Sequence, residues 1–144
     1  MTIHWCGTGL SAIPGLRKLI TDGHDIIVWN RTIEKAISAV GDITKSIKEF
    51  DIHALESHLE KGDIVVSMLP GEWHVPLAKL CLKRQSHFVS SSYISPEMRE
   101  LHNLAIETGL CLVNEVGLDP GIDHLMAHTL IEDYRNSKEQ DDKN

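Results

Sequence analysis

Short apolar runs alternate along this chain with longer stretches whose apolar positions recur every three or four residues. Ile3–Cys6 is an apolar run ending at a glycine, and it predicts a strand. Ser11–Thr21 has helical spacing, with Ile13, Leu16, Leu19 and Ile20 on one face, and Asp22-Gly23-His24 stops it. Asp25–Asn30 predicts a buried strand, and Thr32–Val40 a short helix with Thr32 as N-cap. Lys45–Phe50 reads as a short charged strand and His53–Lys61 as an amphipathic helix. Ile64–Leu69 is the clearest strand, stopped by Pro70-Gly71. A helix follows over Pro76–Gln85, then a strand over His87–Ser90. Ser95-Pro96-Glu97 combines a cap, a proline in the first turn and an acid near the positive end of the dipole. The helix it opens runs to about Thr108 and ends at Gly109. Leu110–Val116 predicts a sixth strand, Gly117–Gly121 a loop and Ile122–Tyr134 a last helix.

Apolar strands alternating with helices imply a parallel sheet covered on both faces. The expected class is therefore α/β, a doubly wound, mostly parallel sheet of about six strands, in one domain over residues 1–135. Asn136–Asn144 is polar throughout and reads as a frayed tail or linker. The composition narrows the function. With 14 Lys and Arg against 21 Asp and Glu the net charge is −7, which disfavours nucleic acid as a partner. No apolar run reaches the roughly 20 residues that span a bilayer, and the N-terminus has no signal-peptide pattern, so no membrane partner and a cytoplasmic location are expected. Cys6, Cys81 and Cys111 sit in apolar runs and read as reduced core thiols. The nine histidines show no zinc spacing, so no metal site is expected.

The candidate chemistry begins at Gly7-Thr8-Gly9-Leu10-Ser11-Ala12, which follows the first strand and opens the first helix. This is G-x-G-x-x-A in the context of a dinucleotide site. One glycine makes the turn, the next admits a pyrophosphate, and the small third residue packs helix on strand. The helix N-terminus then offers free amides and a positive dipole end. An NAD site usually places a carboxylate about 20 residues on, bonded to the ribose 2′-hydroxyl. Here Asn30, Arg31 and Thr32 occupy that place. No carboxylate repels a 2′-phosphate, and the planar fork of Arg31 suits one. NADP(H) is expected in preference to NAD(H).

Ligands of open α/β sheets sit at the carboxyl ends of the strands. Three loops there carry unusual residues: Ser67–His74, Ser90–Pro96 and Asn114–His124. The physics places a site on this side and does not choose the reaction. Ser92-Tyr93-Ile94-Ser95-Pro96, and Asn114 to His124 with Gly117-Leu118-Asp119-Pro120-Gly121 at its centre, resemble the saccharopine dehydrogenase family. The likeness is to its NADP-dependent, glutamate-forming type. It extends to the glycine turn, the strand ending in Arg31-Thr32, and the Leu69-Pro70 turn with His74.

The resemblance implies a Rossmann domain binding NADP(H), followed by a second domain that supplies most substrate contacts. The implied reaction is reversible: glutamate and aminoadipate semialdehyde form an imine, and hydride from NADPH reduces it to saccharopine. Carried over, Gly7, Gly9 and Leu10 cradle the pyrophosphate, and Arg31 and Thr32 take the 2′-phosphate. Leu69 and Pro70 line the adenosine side, and Leu118, Asp119 and Pro120 border the nicotinamide. Ser92, Tyr93 and Asp119 meet a small amino-acid substrate, with Asp119 orienting its nitrogen or acting as a base. The second domain and its carboxylate-binding arginine are expected to lie outside this chain. The chain is then expected to bind nucleotide, to catalyse little, and to be a monomer, whereas the longer form would be a homodimer. Two other readings stand beside this one: a non-catalytic NADP(H)-binding or regulatory domain, and a related reductase such as a carboxynorspermidine dehydrogenase.

Overall fold

The computed structural model describes residues 1–141. Six strands form one sheet: β1 (Ile3–Cys6), β2 (Ile26–Asn30), β3 (Ile47–Glu49), β4 (Ile64–Ser67), β5 (His87–Ser90) and β6 (Leu112–Val113). Their order is β3-β2-β1-β4-β5-β6, and every neighbouring pair is parallel. The chain winds outward from β1 to β3, then crosses back to place β4 on the other side of β1. This reversal opens a crevice beyond the carboxyl ends of β1 and β4, where such sheets bind ligands. The helices are α1 (Ile13–Thr21), α2 (Ile33–Val40), α3 (Ile52–His58), α4 (His74–Arg84), α5 (Pro96–Arg99), α6 (His102–Thr108) and α7 (Ile122–Asp141). A single 3-10 turn over Gly71–Trp73 precedes α4.

Side chains alternate between the two faces of a strand, and the core divides accordingly. Trp5, Val28 and Val66 face α1 and α2, with Ala12, Leu16, Ala36 and Val40. Cys6, Trp29 and Val65 face the opposite layer, with Leu55, Leu77, Ala78 and Phe88. The inner strands are apolar on both faces because both faces are covered, as a parallel sheet requires. The bidentate pair of Arg17 with Asp42, both contacts at 2.7 Å, ties α1 to the end of α2. It draws the Asp42 carboxyl down to about 2.

Several elements differ from the sequence expectation. The helix expected from Ser95 to Thr108 is two helices. The Leu101 amide bonds the carbonyl of Met98, three residues back, rather than continuing the α pattern. This tighter step lets Met98 and Leu101 both reach the core. The sixth strand pairs only over Leu112–Val113. Beyond it Glu115 adopts φ 60°, which turns the chain off the sheet. Thr32 is extended at the N-cap of α2, but its side chain caps nothing. Cys6 and Cys81 are buried as expected, whereas Cys111 is exposed and is not a core thiol. The last helix does not stop at Tyr134: it continues to Asp141, through most of the stretch read as a frayed tail. Residues 142–144 of that stretch lie outside the described residues. Leu125, Met126, Leu130 and Tyr134 on α7 are all exposed. No helix among the described residues is long and apolar enough to cross a membrane.

A buried polar network holds the amino end of the sheet. His4 is fully buried on β1, and its Nδ1 accepts from the indole N–H of Trp29 at 3.1 Å. Nε2 therefore carries the proton and donates to Asp63 Oδ2 at 3.3 Å. Asp63 also accepts from the amides of Thr2 and Glu60. Burial pushes the His4 imidazole below its ordinary value, although Asp63 pulls the other way. Protonation would set an N–H against the indole N–H. Burial also opposes the Asp63 charge, but the two amides and His4 outweigh it and hold that carboxyl low. The unfolded chain takes up a proton near 6.5 that the folded chain refuses. Stability contributed by neutral His4 is thus present above that pH and is lost as pH falls below it. Urea unfolding should show this loss between about pH 7.5 and pH 5.5, with a slope of up to about 1.4 kcal/mol per pH unit. His4→Gln should flatten the slope; an unchanged slope in that variant would contradict the assignment.

Candidate functional site

The first strand ends at the glycine turn, and the turn is shaped by a neighbour. Gly7 has φ 104°, and a Cβ there would lie 2.7 Å from the backbone carbonyl oxygen of Met68. Both the backbone angle and the close approach of the β4 loop demand glycine. Gly9 is different: a Cβ there would meet nothing within 4 Å. Its lack of a side chain keeps open the space in front of the turn. Ala12 is buried under α1, which is the close helix–strand packing expected of it.

The amide of Gly7 is taken by Trp29 carbonyl, that of Thr8 by Asn30 Oδ1 at 3.2 Å, and that of Ala12 by Gly9 carbonyl. The amides of Gly9, Leu10 and Ser11 have no acceptor among the described residues. Two buried hydroxyls also lack a partner, Thr8 Oγ1 and Ser67 Oγ, one past the end of β1 and one at the end of β4. Free amides and a buried donor around an open turn fit an anionic ligand.

The turn is the floor of a cleft of about 370 Å³. Gly7, Gly9, Asn30, Arg31, Thr32, Leu69 and Pro70, all expected at the site, line it. Leu10 does not: it is 91% exposed and stands off the wall of the cleft, with its amide free. The sequence reading missed Lys35, Phe50, Asp51 and Ile52 on the walls, and it placed Thr8, Met68, Glu72 and Trp73 in the glycine turn and the Ser67–His74 loop without giving them individual roles. Phe50 and Trp73 meet edge to face with centroids 5.1 Å apart, which makes an apolar wall for a flat ring. A legible signal existed for Trp73, which lies in the Ser67–His74 loop beyond the carboxyl end of β4.

Asn30 joins the two edges of the cleft. Its Oδ1 takes the Thr8 amide, and its Nδ2 donates to the Thr32 carbonyl at 2.7 Å. The Thr32 hydroxyl, freed from capping, stays available to a ligand. Asp51 accepts from the amides of His53 and Ala54 and so caps α3. His74, buried at the start of α4, bonds the Leu69 carbonyl at 2.9 Å and fixes the turn after β4.

The other expected residues form a second group. The loops after β5 and β6 are stitched together. Ser90 Oγ donates to Asn114 Oδ1, the Glu115 amide to Ser92 carbonyl, and the Ile94 amide to Glu115 Oε1. The Tyr93 hydroxyl donates to Asp119 Oδ1 at 2.6 Å. That bond to a carboxylate holds the phenol above its usual range. His124 stands edge-on to the Tyr93 ring at 6.3 Å. Leu118 is exposed, Pro120 is buried, and the Asp119–Pro120 peptide is cis. Ser92, Tyr93 and Asp119 are thus brought together, whereas Leu118, Asp119 and Pro120 do not line the cleft.

Residues 3–113 match the family model described as the saccharopine dehydrogenase NADP binding domain. The chain belongs to that family. It is 36% identical over 131 residues to the NADP-dependent, L-glutamate-forming saccharopine dehydrogenase of Pyricularia oryzae, covering 88% of this chain and 29% of that one. It is 33% identical over 121 residues to alpha-aminoadipic semialdehyde synthase of Arabidopsis thaliana, covering 82% and 11%. The apo L-Glu-forming saccharopine dehydrogenase of Saccharomyces cerevisiae superposes with TM-score 0.79 at 32% identity, over 94% of this chain and 31% of that one. The domain is a Rossmann-like α/β fold, and NADP(H) is its cofactor. The chain spans about 30% of the length of its fungal relatives.

The two glycines should fail differently. Gly7→Ala forces a Cβ onto a backbone oxygen and should lower the unfolding free energy by several kcal/mol, on the order of 3. Gly9→Ala should leave the urea midpoint within about 0.5 kcal/mol of wild type and abolish NADPH binding. Retained binding in Gly9→Ala would show that the ligand does not approach that turn.

Proposed function

We propose that the cleft holds the adenosine and pyrophosphate of NADP(H), and that this chain is the cofactor-binding portion of a reductase acting on a carbon–nitrogen bond of an amino acid. What carries the first part is the end of β2: Asn30, Arg31 and Thr32 stand where a carboxylate would select NAD, and the Arg31 guanidinium and Thr32 hydroxyl are unengaged by other side chains among the described residues. The free amides of Gly9 to Ser11 and the buried Thr8 hydroxyl suit the pyrophosphate. The apolar wall of Phe50 and Trp73, with Leu69 and Pro70, suits the adenosine.

Family membership supports the second part. When bound, the cofactor supplies hydride. The chain's own residues bind and orient. In the direction of reduction, hydride and one proton add across an imine C=N to give a secondary amine and NADP⁺. An iminium carbon is already electrophilic, so positioning and charge matching are the main tasks. In this reading Ser92 and Tyr93 contact the substrate. Asp119, held at 2.6 Å by Tyr93, faces the substrate nitrogen and favours its protonated form. The substrate class is the imine of glutamate with aminoadipate semialdehyde.

Nicotinamide fluorescence titration of the purified chain should show NADPH binding at least tenfold tighter than NADH, with the preference lost in Arg31→Ala. Equal affinity for the two, or an unchanged preference in the variant, would refute this use of Arg31. In the full-length enzyme Asp119→Asn should lower kcat/KM for saccharopine about 10²-fold or more, on the scale of a removed acid–base group. Unchanged activity and substrate affinity would rule Asp119 out of the site.

A further inference from the structure

Resting on the reading of the cleft as an NADP(H) site, we propose that Lys35 is a second cation for the ribose 2′-phosphate and shares it with Arg31. Lys35 stands in the first turn of α2, three residues past the N-cap Thr32, and its amide bonds the Thr32 carbonyl at 3.2 Å. Helical side chains lean back toward the N-terminus of their helix. The lysine stem therefore runs back over the turn that carries Arg31 and Thr32, and all three line the same cleft.

The charge arrangement is unfavourable unless an anion is present. A cation in the first turn opposes the helix dipole, and Arg31 adds a like charge beside it. Neither forms an ion pair among the described residues. Two carboxylates border the cleft. Asp51 is engaged by the amides at the start of α3, and Glu72 lies on the 3-10 turn after β4. Glu34 is also in the first turn of α2 but does not line the cleft. A phosphate dianion with three acceptor oxygens answers both cations at once. The planar fork of Arg31 can hold two of its oxygens, and the mobile ammonium of Lys35 can reach the third. Selection of NADP is then made by two residues on either side of Thr32.

The test is calorimetric titration of the 144-residue chain with adenosine 2′,5′-bisphosphate and with 5′-AMP, which differ only in the 2′-phosphate. Lys35→Ala should weaken the bisphosphate about tenfold, the scale of one charge-assisted hydrogen bond. It should leave 5′-AMP unchanged and make the salt dependence of bisphosphate binding shallower. Lys35→Arg should restore most of the affinity. The lysine is exposed and alanine favours helix, so the variant keeps its fold. Equal bisphosphate affinity in wild type and Lys35→Ala would overturn the role of Lys35 alone. Equal weakening of both nucleotides would overturn it too, because the lysine would then not be reading the 2′-phosphate. A wild-type chain that binds neither compound would overturn the nucleotide cleft itself, and this proposal with it.

Discussion

One side-chain amide fixes the geometry on which the cleft depends. Asn30 ends β2 and sits beside β1, so its two polar atoms face two different turns. Its oxygen takes the Thr8 amide and its nitrogen holds the Thr32 carbonyl. The turn that presents free amides is thereby set at a fixed distance from the turn that presents Arg31 and Lys35. An aspartate there could not donate to the carbonyl, and it would add a negative charge beside Arg31 and the open amides. An amide can accept and donate at once in this place.

The sheet order supplies the rest. Because β1 is flanked by β2 on one side and β4 on the other, three loops converge at its carboxyl end. The cleft spans the glycine turn, from the residues after β2 and β3 to Met68–Pro70, Glu72 and Trp73 after β4. The stitched loops after β5 and β6, with Tyr93 and Asp119, lie further along the sheet and do not line it.

The class of fold was legible because every strand but β3 is a short apolar run and the longer helices keep one apolar face. Five of the six strands pair where the apolar pattern places them, give or take a residue or two at the ends. The sixth was overrun because Val116 resumes the apolar pattern past Asn114, while Glu115 turns the chain away. The helix break at Leu101 was hidden because Met98, Leu101 and Ala105 keep helical spacing across it. The glycine turn and the Asn30-Arg31-Thr32 strand end were legible because their chemistry is local. Lys35 and Phe50 were not, because only the assembled sheet brings them to one cleft. The use of Asn30 as a tie between turns, beside its place on the cleft wall, also needed the fold: its partners are 22 residues before it and two after.

The contact between Gly7 and the Met68 carbonyl has a consequence for how this domain tolerates change in chain length. It is an approach to backbone, so no choice of side chain at position 68 relieves or replaces it. The turn after β1 and the turn after β4 are therefore fitted to each other like two halves of a hinge plate. An insertion in either would lift one half off the other and open the floor of the cleft. The lengths of these two turns therefore have to be kept together.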